Sequence, residues 1–238
     1  MIRGHRLLVA TALGASVLTA RPVQAQTPAT CAGLPTYAEL KEKMVAASDP
    51  AGWPVPPDPN RGFRLNMWGT IVNRDGVVCA VVFTGSDRGD QWPGSRVISA
   101  QKANTANSFS LDGLALSTAQ LYGLVQPGAS LFGLQESNPV ATDVAYKGPS
   151  TNLGAPNDPM VGSKIGGVNV FGGGLALYKS GEVIGALGVS GDTSCADHNI
   201  AWKARQLLGL NGTPSSDNIT YGAGNHPFCL GGETPPAP

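Results

Sequence analysis

Charge is scarce in this 238-residue chain: 13% of its residues are Asp, Glu, Lys or Arg, and 16 basic side chains face 16 acidic ones. With no basic excess to neutralise phosphates, nucleic acid is excluded as a partner. No polybasic cluster addresses an anionic membrane surface either. Long apolar runs are missing after the first twenty residues, and a bilayer span needs about 20. No CxxC or HxxxH spacing occurs, which argues against the usual zinc arrangements. No repeat of about 20–50 residues is visible, which excludes solenoids and propellers. Histidine is rarest of all, at three.

One of those three, His5, sits between Arg3 and Arg6 ahead of the apolar run from Leu7 to Ala20. Val23-Gln24-Ala25 then places small residues where a signal peptidase reads. This pattern predicts a secretory signal peptide over residues 1–25 and a periplasmic or secreted product. Residues 26–238 then form a single domain, and its histidines are His198 and His226. Four cysteines in an exported chain read as two disulfides. Of the three pairings, Cys195–Cys229 ties the tail to the last helix and Cys31–Cys79 ties the N-terminus to a strand; these two are expected.

Gly (32) and Pro (19) are abundant and favour short strands with long connections. The periodicity predicts a helix over 37–47, then a proline-rich insertion at 50–59 that no regular element tolerates. Strands follow at 64–72 and 77–84, joined by Asn73-Arg74-Asp75-Gly76, a strong hairpin signal. A helix runs from Ser95 to about Ser108, and a short one starts at Ser117-Thr118. A loop of little period occupies 135–167. Then come a strand over 175–178, a polar turn, a strand over 183–189 marked by Gly185 and Gly188, and a final helix. A Gly/Pro-rich tail fills 211–238. Two hairpins separated by helices predict an α+β fold, with an antiparallel sheet of about five strands and its helices on one face.

Two tempting motifs fail. Gly172-Gly173-Gly174 opens a strand, whereas a phosphate loop must open a helix. In Gly188-Val189-Ser190-Gly191-Asp192 the last glycine of a nucleophile elbow is replaced by Asp192. No nucleophile–base pair is evident, so the reading leans away from an enzyme. On a wheel of about 100° per residue, His198, Trp202 and Arg205 share one stripe of the last helix, opposite Ile200, Ala204, Leu207 and Leu208. An imidazole, an indole and a cation on one face suit a planar anionic ligand such as haem. They equally suit a subunit contact. Lys102 lies on the apolar stripe of the middle helix, where its stem is expected to pack and its ammonium to reach solvent. Asp192 and Asp197 stand where carboxylates cap a helix.

Lys102-Ala103 with Thr105-Ala106, the glycine triplet at 172–174, the run Gly185–Gly191 and Asp197 together resemble the GlcG/HbpS family. That family includes extracytoplasmic haem-binding proteins and the C-terminal domain of PduO-type cobalamin adenosyltransferases. The likeness extends from Trp68 to Leu208. It implies a profilin-like or PAS-like sheet flanked by helices, homo-oligomeric assembly and, as in some members, haem or corrinoid binding. Lys102, Asp197, His198, Trp202 and Arg205 become the ligand-binding candidates, with His198 or His226 toward haem iron. Members that ligate iron through histidines near the N-terminal helix have no counterpart here. Two rival functions stand beside this one: an enzyme or accessory factor holding a small metabolite under the 135–167 loop, through Lys102 and Asp197, and a ligand-free oligomeric module.

Overall fold

The structure is a computed structural model, and it describes residues 28–48, 62–211 and 216–236. The expected signal peptide (1–25) and proline-rich insertion (50–59) lie outside the described residues. The regular elements are α1 (Tyr37–Ser48), β1 (Trp68–Asn73), β2 (Val78–Phe83), α2 (Ser95–Phe109), α3 (Thr118–Leu121), α4 (Thr142–Ala145), β3 (Gly174–Lys179), β4 (Glu182–Ser190) and α5 (Ser194–Leu207).

The strands form one antiparallel sheet in the order β2-β1-β4-β3. Each hairpin contributes an outer and an inner strand, and β1 pairs with β4 to join them: Trp68 faces Ser190 and Asn73 faces Gly185. Among the described residues the sheet has four strands rather than about five, and they are the four strands of the two hairpins. It is an α+β fold, with helices on both faces of the sheet and not on one. All six residues of β1 and of β2 are buried, the pattern of strands covered above and below. On one face Leu40, Met44 and Ala47 of α1 and Ile200, Ala201 and Ala204 of α5 pack on Ile71, Val82, Leu187 and Val189. On the other, Val97, Ala100, Ala103 and Ala106 of α2 pack on Val72, Val81 and Ala186.

The alanine stripe lets α2 lie close to the sheet, and Gly188 completes the fit. A Cβ there would stand 1.9 Å from the Ser99 carbonyl oxygen of α2. The 135–167 segment is packed and not a free flap. Ala145, Met160 and Ile165 extend the α2-side core, and Asp158 accepts two hydrogen bonds from Arg96 of α2, at 2.5 and 2.8 Å. Both expected disulfides are present, Cys31–Cys79 and Cys195–Cys229. The second bridge holds the segment 216–236 against α5 as a strap.

Candidate functional site

A cleft of about 290 Å³ opens where β4 hands over to α5. Its rim is aromatic: Trp92, from the loop before α2, is 53% exposed, and Phe171, from the segment before β3, is 42% exposed. Ile98 forms an apolar wall, and Ser190, Asp192 and Ser194 add polar groups. Lys102 and Asp197 form the floor. A larger groove of about 410 Å³, beside α1, is lined by solvent-facing side chains such as Asp87, Arg88 and Thr151. It contains no buried ion pair, so the smaller cleft is the better chemical candidate.

Lys102 does not reach solvent. Its ammonium is buried and donates to Asp197 Oδ2 at 2.7 Å and to the Val189 carbonyl oxygen at 3.1 Å. The expectation of a solvent-seeking lysine fails because a carboxylate waits at the end of its stem. The glycine triplet makes room for this meeting of α2 and α5. A Cβ on Gly173 would stand 3.0 Å from Asp197 Cβ and 3.1 Å from Lys102 Nζ, while one on Gly172 would stand 2.3 Å from the Ser194 carbonyl oxygen. The triplet is thus a narrow crossing between two helices. Its Gly174 N–H is held by Thr118 Oγ1 at 2.8 Å.

Asp197 does not cap α5. That role belongs to Thr193, whose hydroxyl accepts the Ala196 N–H. Asp197 instead accepts from Lys102 and, at 3.0 Å, from the Asp192 N–H. Burial pushes its carboxyl up to about 6, against the pull of Lys102. Asp192 accepts the N–H groups of Phe63 and Leu65 and so fixes the chain entering β1. Lysine has three donors, and two are spent here. The third has no acceptor among the described residues.

The stripe of His198, Trp202 and Arg205 is real, but it is not an open face. His198 is fully buried, Trp202 is 3% exposed and Arg205 1%. The covering is the strap. Asp217 takes Arg205 in a two-pronged ion pair at 2.5 and 2.9 Å, and Arg205 also donates to the Ala176 carbonyl oxygen. Its guanidinium lies 4.7 Å over the Trp202 ring, and the His198 imidazole stacks with that same ring, with centroids 6.1 Å apart. Neither nitrogen of His198 finds a hydrogen-bond partner of normal geometry among the described residues. Burial, then the charge of Arg205, hold its imidazole down at about 3. His226 lies on the strap itself. Its Nδ1–H donates to the Pro227 carbonyl oxygen at 2.8 Å, and its Nε2 accepts the Gly172 N–H at 3.3 Å; burial lowers its pKa as well.

The candidates therefore fall into two groups on either side of α5. Lys102 and Asp197 meet under the cleft, whereas His198, Trp202, Arg205 and His226 lie beneath or on the strap. No residue of 135–167 lines the cleft that holds Lys102 and Asp197; Ser150, Thr151 and residues 153–156 of that segment line the larger groove beside α1 instead. Trp92, Phe171 and Asp217 were not anticipated. Trp92 carried a signal, a tryptophan beside the Pro93-Gly94 turn in an otherwise polar loop. Asp217 carried none, since it lies in a Gly/Pro-rich stretch without period.

The family model described as haem degrading protein HbpS-like matches residues 64–206. A curated relative, an uncharacterised 15.0 kDa protein from the dhaT–dhaS intergenic region of Citrobacter freundii, is 35% identical over 104 residues. That match covers 44% of this chain, and this chain spans only 51% of that relative. Among solved structures, a PduOC–heme complex has a TM-score of 0.48 and 22% identity, covering 73% of this chain and 91% of that one. The Klebsiella pneumoniae protein ORFY has a TM-score of 0.46 and 24% identity, covering 81% and 98%. A double mutant of Streptomyces reticuli HbpS has a TM-score of 0.46 and 16% identity, covering 83% and 99%.

Proposed function

Since the chain belongs to the HbpS-like family, we propose that it is an exported haem-binding protein that holds the edge of a tetrapyrrole in the Trp92–Phe171 cleft. The observation that carries this reading is the pairing of an exposed aromatic rim with a buried Lys102 that has one donor to spare. Flat apolar walls suit a macrocycle, and an ammonium in a dry floor suits a propionate carboxylate. The residues fit the ligand's periphery better than its iron, because neither His198 nor His226 lines the cleft. A cleft of about 290 Å³ also admits an edge and not a whole haem. When bound, haem supplies a redox-active iron. The protein's part is to stack, to neutralise carboxylate charge and to exclude water. Export is supported by the predicted leader and by the two disulfides, and no helix among the described residues is long and apolar enough to cross a membrane. Homo-oligomeric assembly, which light scattering would report, belongs to the same reading.

Titrating residues 26–238 with hemin is expected to give a saturable shift of the Soret band. Trp92→Ala and Lys102→Met should each weaken it, and His198→Ala should leave it unchanged. A Soret shift abolished by His198→Ala alone would move the ligand from the cleft to the strap side. Absence of any shift at micromolar hemin would sink the reading, and the same titration with a corrinoid tests the other tetrapyrrole class.

A further inference from the structure

The strap is closed by one disulfide, and that disulfide is built differently from its fellow. Cys31 and Cys79 are both buried, at 1% and 4% exposure, whereas Cys229 is partly exposed although Cys195 is buried. Of the four half-cystines, Cys229 therefore offers an incoming thiolate its best approach. Cys229 Sγ also lies at the N-terminus of the 14-residue helix α5 and receives the Cys195 N–H at 3.2 Å. A sulfur in that position is stabilised as a thiolate. Next to the pair stands His226: one of its ring nitrogens and the two sulfurs lie within 4.8 Å of one another.

We propose that Cys195, Cys229 and His226 form a redox-gated site for a thiophilic divalent cation of the zinc class. The site is closed while the disulfide stands and is opened by a dithiol reductant. The electrons balance in two exchanges. A thiolate of the reductant attacks Cys229 Sγ, the S–S bond breaks, and Cys195 leaves with the electron pair. The second thiol of the reductant then closes its own ring disulfide and releases Cys229. The protein has gained two electrons and two protons, and the reductant is oxidised to a cyclic disulfide. A cation then displaces the thiol protons to water. Donors around a tetrahedral zinc stand about 3.6 Å apart, given metal–ligand bonds of about 2.1–2.3 Å. The freed sulfurs must therefore move apart while the histidine closes in slightly, and the fourth position is left to water. Two thiolates and an imidazole select zinc over magnesium or calcium. The sequence spacing hides this site, because its ligands come from a helix and from a strap more than 30 residues later.

The test needs no haem and is independent of the cleft. The chain of residues 26–238 is treated anaerobically with limiting dithiothreitol, desalted, and titrated with Co2+ as a coloured zinc surrogate. Disulfide mapping by mass spectrometry should show Cys195–Cys229 opening before Cys31–Cys79. The reduced chain should bind one Co2+ with a thiolate-to-cobalt charge-transfer band that Zn2+ bleaches, and the oxidised chain should bind none. His226→Ala should weaken binding by at least about tenfold. The double variant Cys195→Ser/Cys229→Ser, which keeps the other bridge, should show no band. A band that survives in either variant at wild-type strength overturns the proposal, as does its absence from the reduced chain. Loss of folded circular dichroism on opening that single bridge overturns it equally.

Discussion

Helix α5 is flanked by two buried ion pairs of the same formal composition that serve opposite purposes. On the cleft side, α5 supplies the acid, Asp197, and α2 supplies the cation, Lys102. On the strap side, α5 supplies the cation, Arg205, and the strap supplies the acid, Asp217. The first pair is a pliable one, a single contact in the floor of an open cleft with a carboxyl that burial pushes up to about 6. The second is a two-pronged clamp around a guanidinium, a group that cannot shed its proton in a protein. The difference teaches how burial is tolerated. A carboxyl can escape the cost of burial by taking up a proton, but an arginine has to keep its partner.

Substitutions that remove one partner from each pair should expose that asymmetry. Asp217→Ala leaves Arg205 charged and unpaired and should cost about 3–5 kcal/mol in denaturant unfolding. Hydrogen exchange should quicken across the strap and the α5 backbone. Lys102→Met leaves a carboxyl that neutralises itself, so its cost at neutral pH should be no more than about 1–3 kcal/mol. Equal losses from the two variants would erase the distinction.

Acidity supplies the finer test. Asp197 has a folded-state pKa of about 6 against 3.8, so its contribution to stability is fully present below 3.8 and is lost as pH rises through about 6. His198 has a folded-state value of about 3 against 6.5, so its contribution is present above 6.5 and is lost as pH falls. Between pH 6 and 4 the two slopes oppose each other, and each is bounded by about 1.4 kcal/mol per pH unit. His198→Phe should make the protein gain stability on acidification through that window, and Asp197→Asn should make it lose stability more steeply. Thermal melts at pH 4, 5 and 6 would read both. A shared slope in the two variants would show that the pairs do not titrate separately.

Much of the framework was legible along the chain because it is local. The Asp75-Gly76 turn, the alanine periodicity of α2 and the glycines of β4 all act on neighbours in sequence or on one face. Both cysteine pairings were legible from compartment and position. What covers His198, Trp202 and Arg205 was not, since a helical wheel reports which residues share a face and says nothing of what lies on it. The Cys195–Cys229 pairing did hold the missing signal, because a tail bonded to the first turn of α5 must pass along that helix. Two-sided burial was also written into β2 as a continuous apolar run without alternation, whereas β1 buries Thr70 and Asn73 among its apolar residues. Lys102 was noticeable as a misfit on an apolar stripe, but its partner lies 95 residues away.

The register of the sheet carries a consequence for how the chain comes to its native state. Each hairpin closes over a few residues and can form on a microsecond timescale. The β1–β4 ladder, in which Trp68 finds Ser190, must instead close a loop of more than half the chain, and pairings of such high contact order are slow. Ser190 and the start of α5 line the cleft only once that ladder has zipped. A nascent chain still short of β4 therefore has one hairpin and no cleft, and the cleft is completed only at the slow, long-range step of folding.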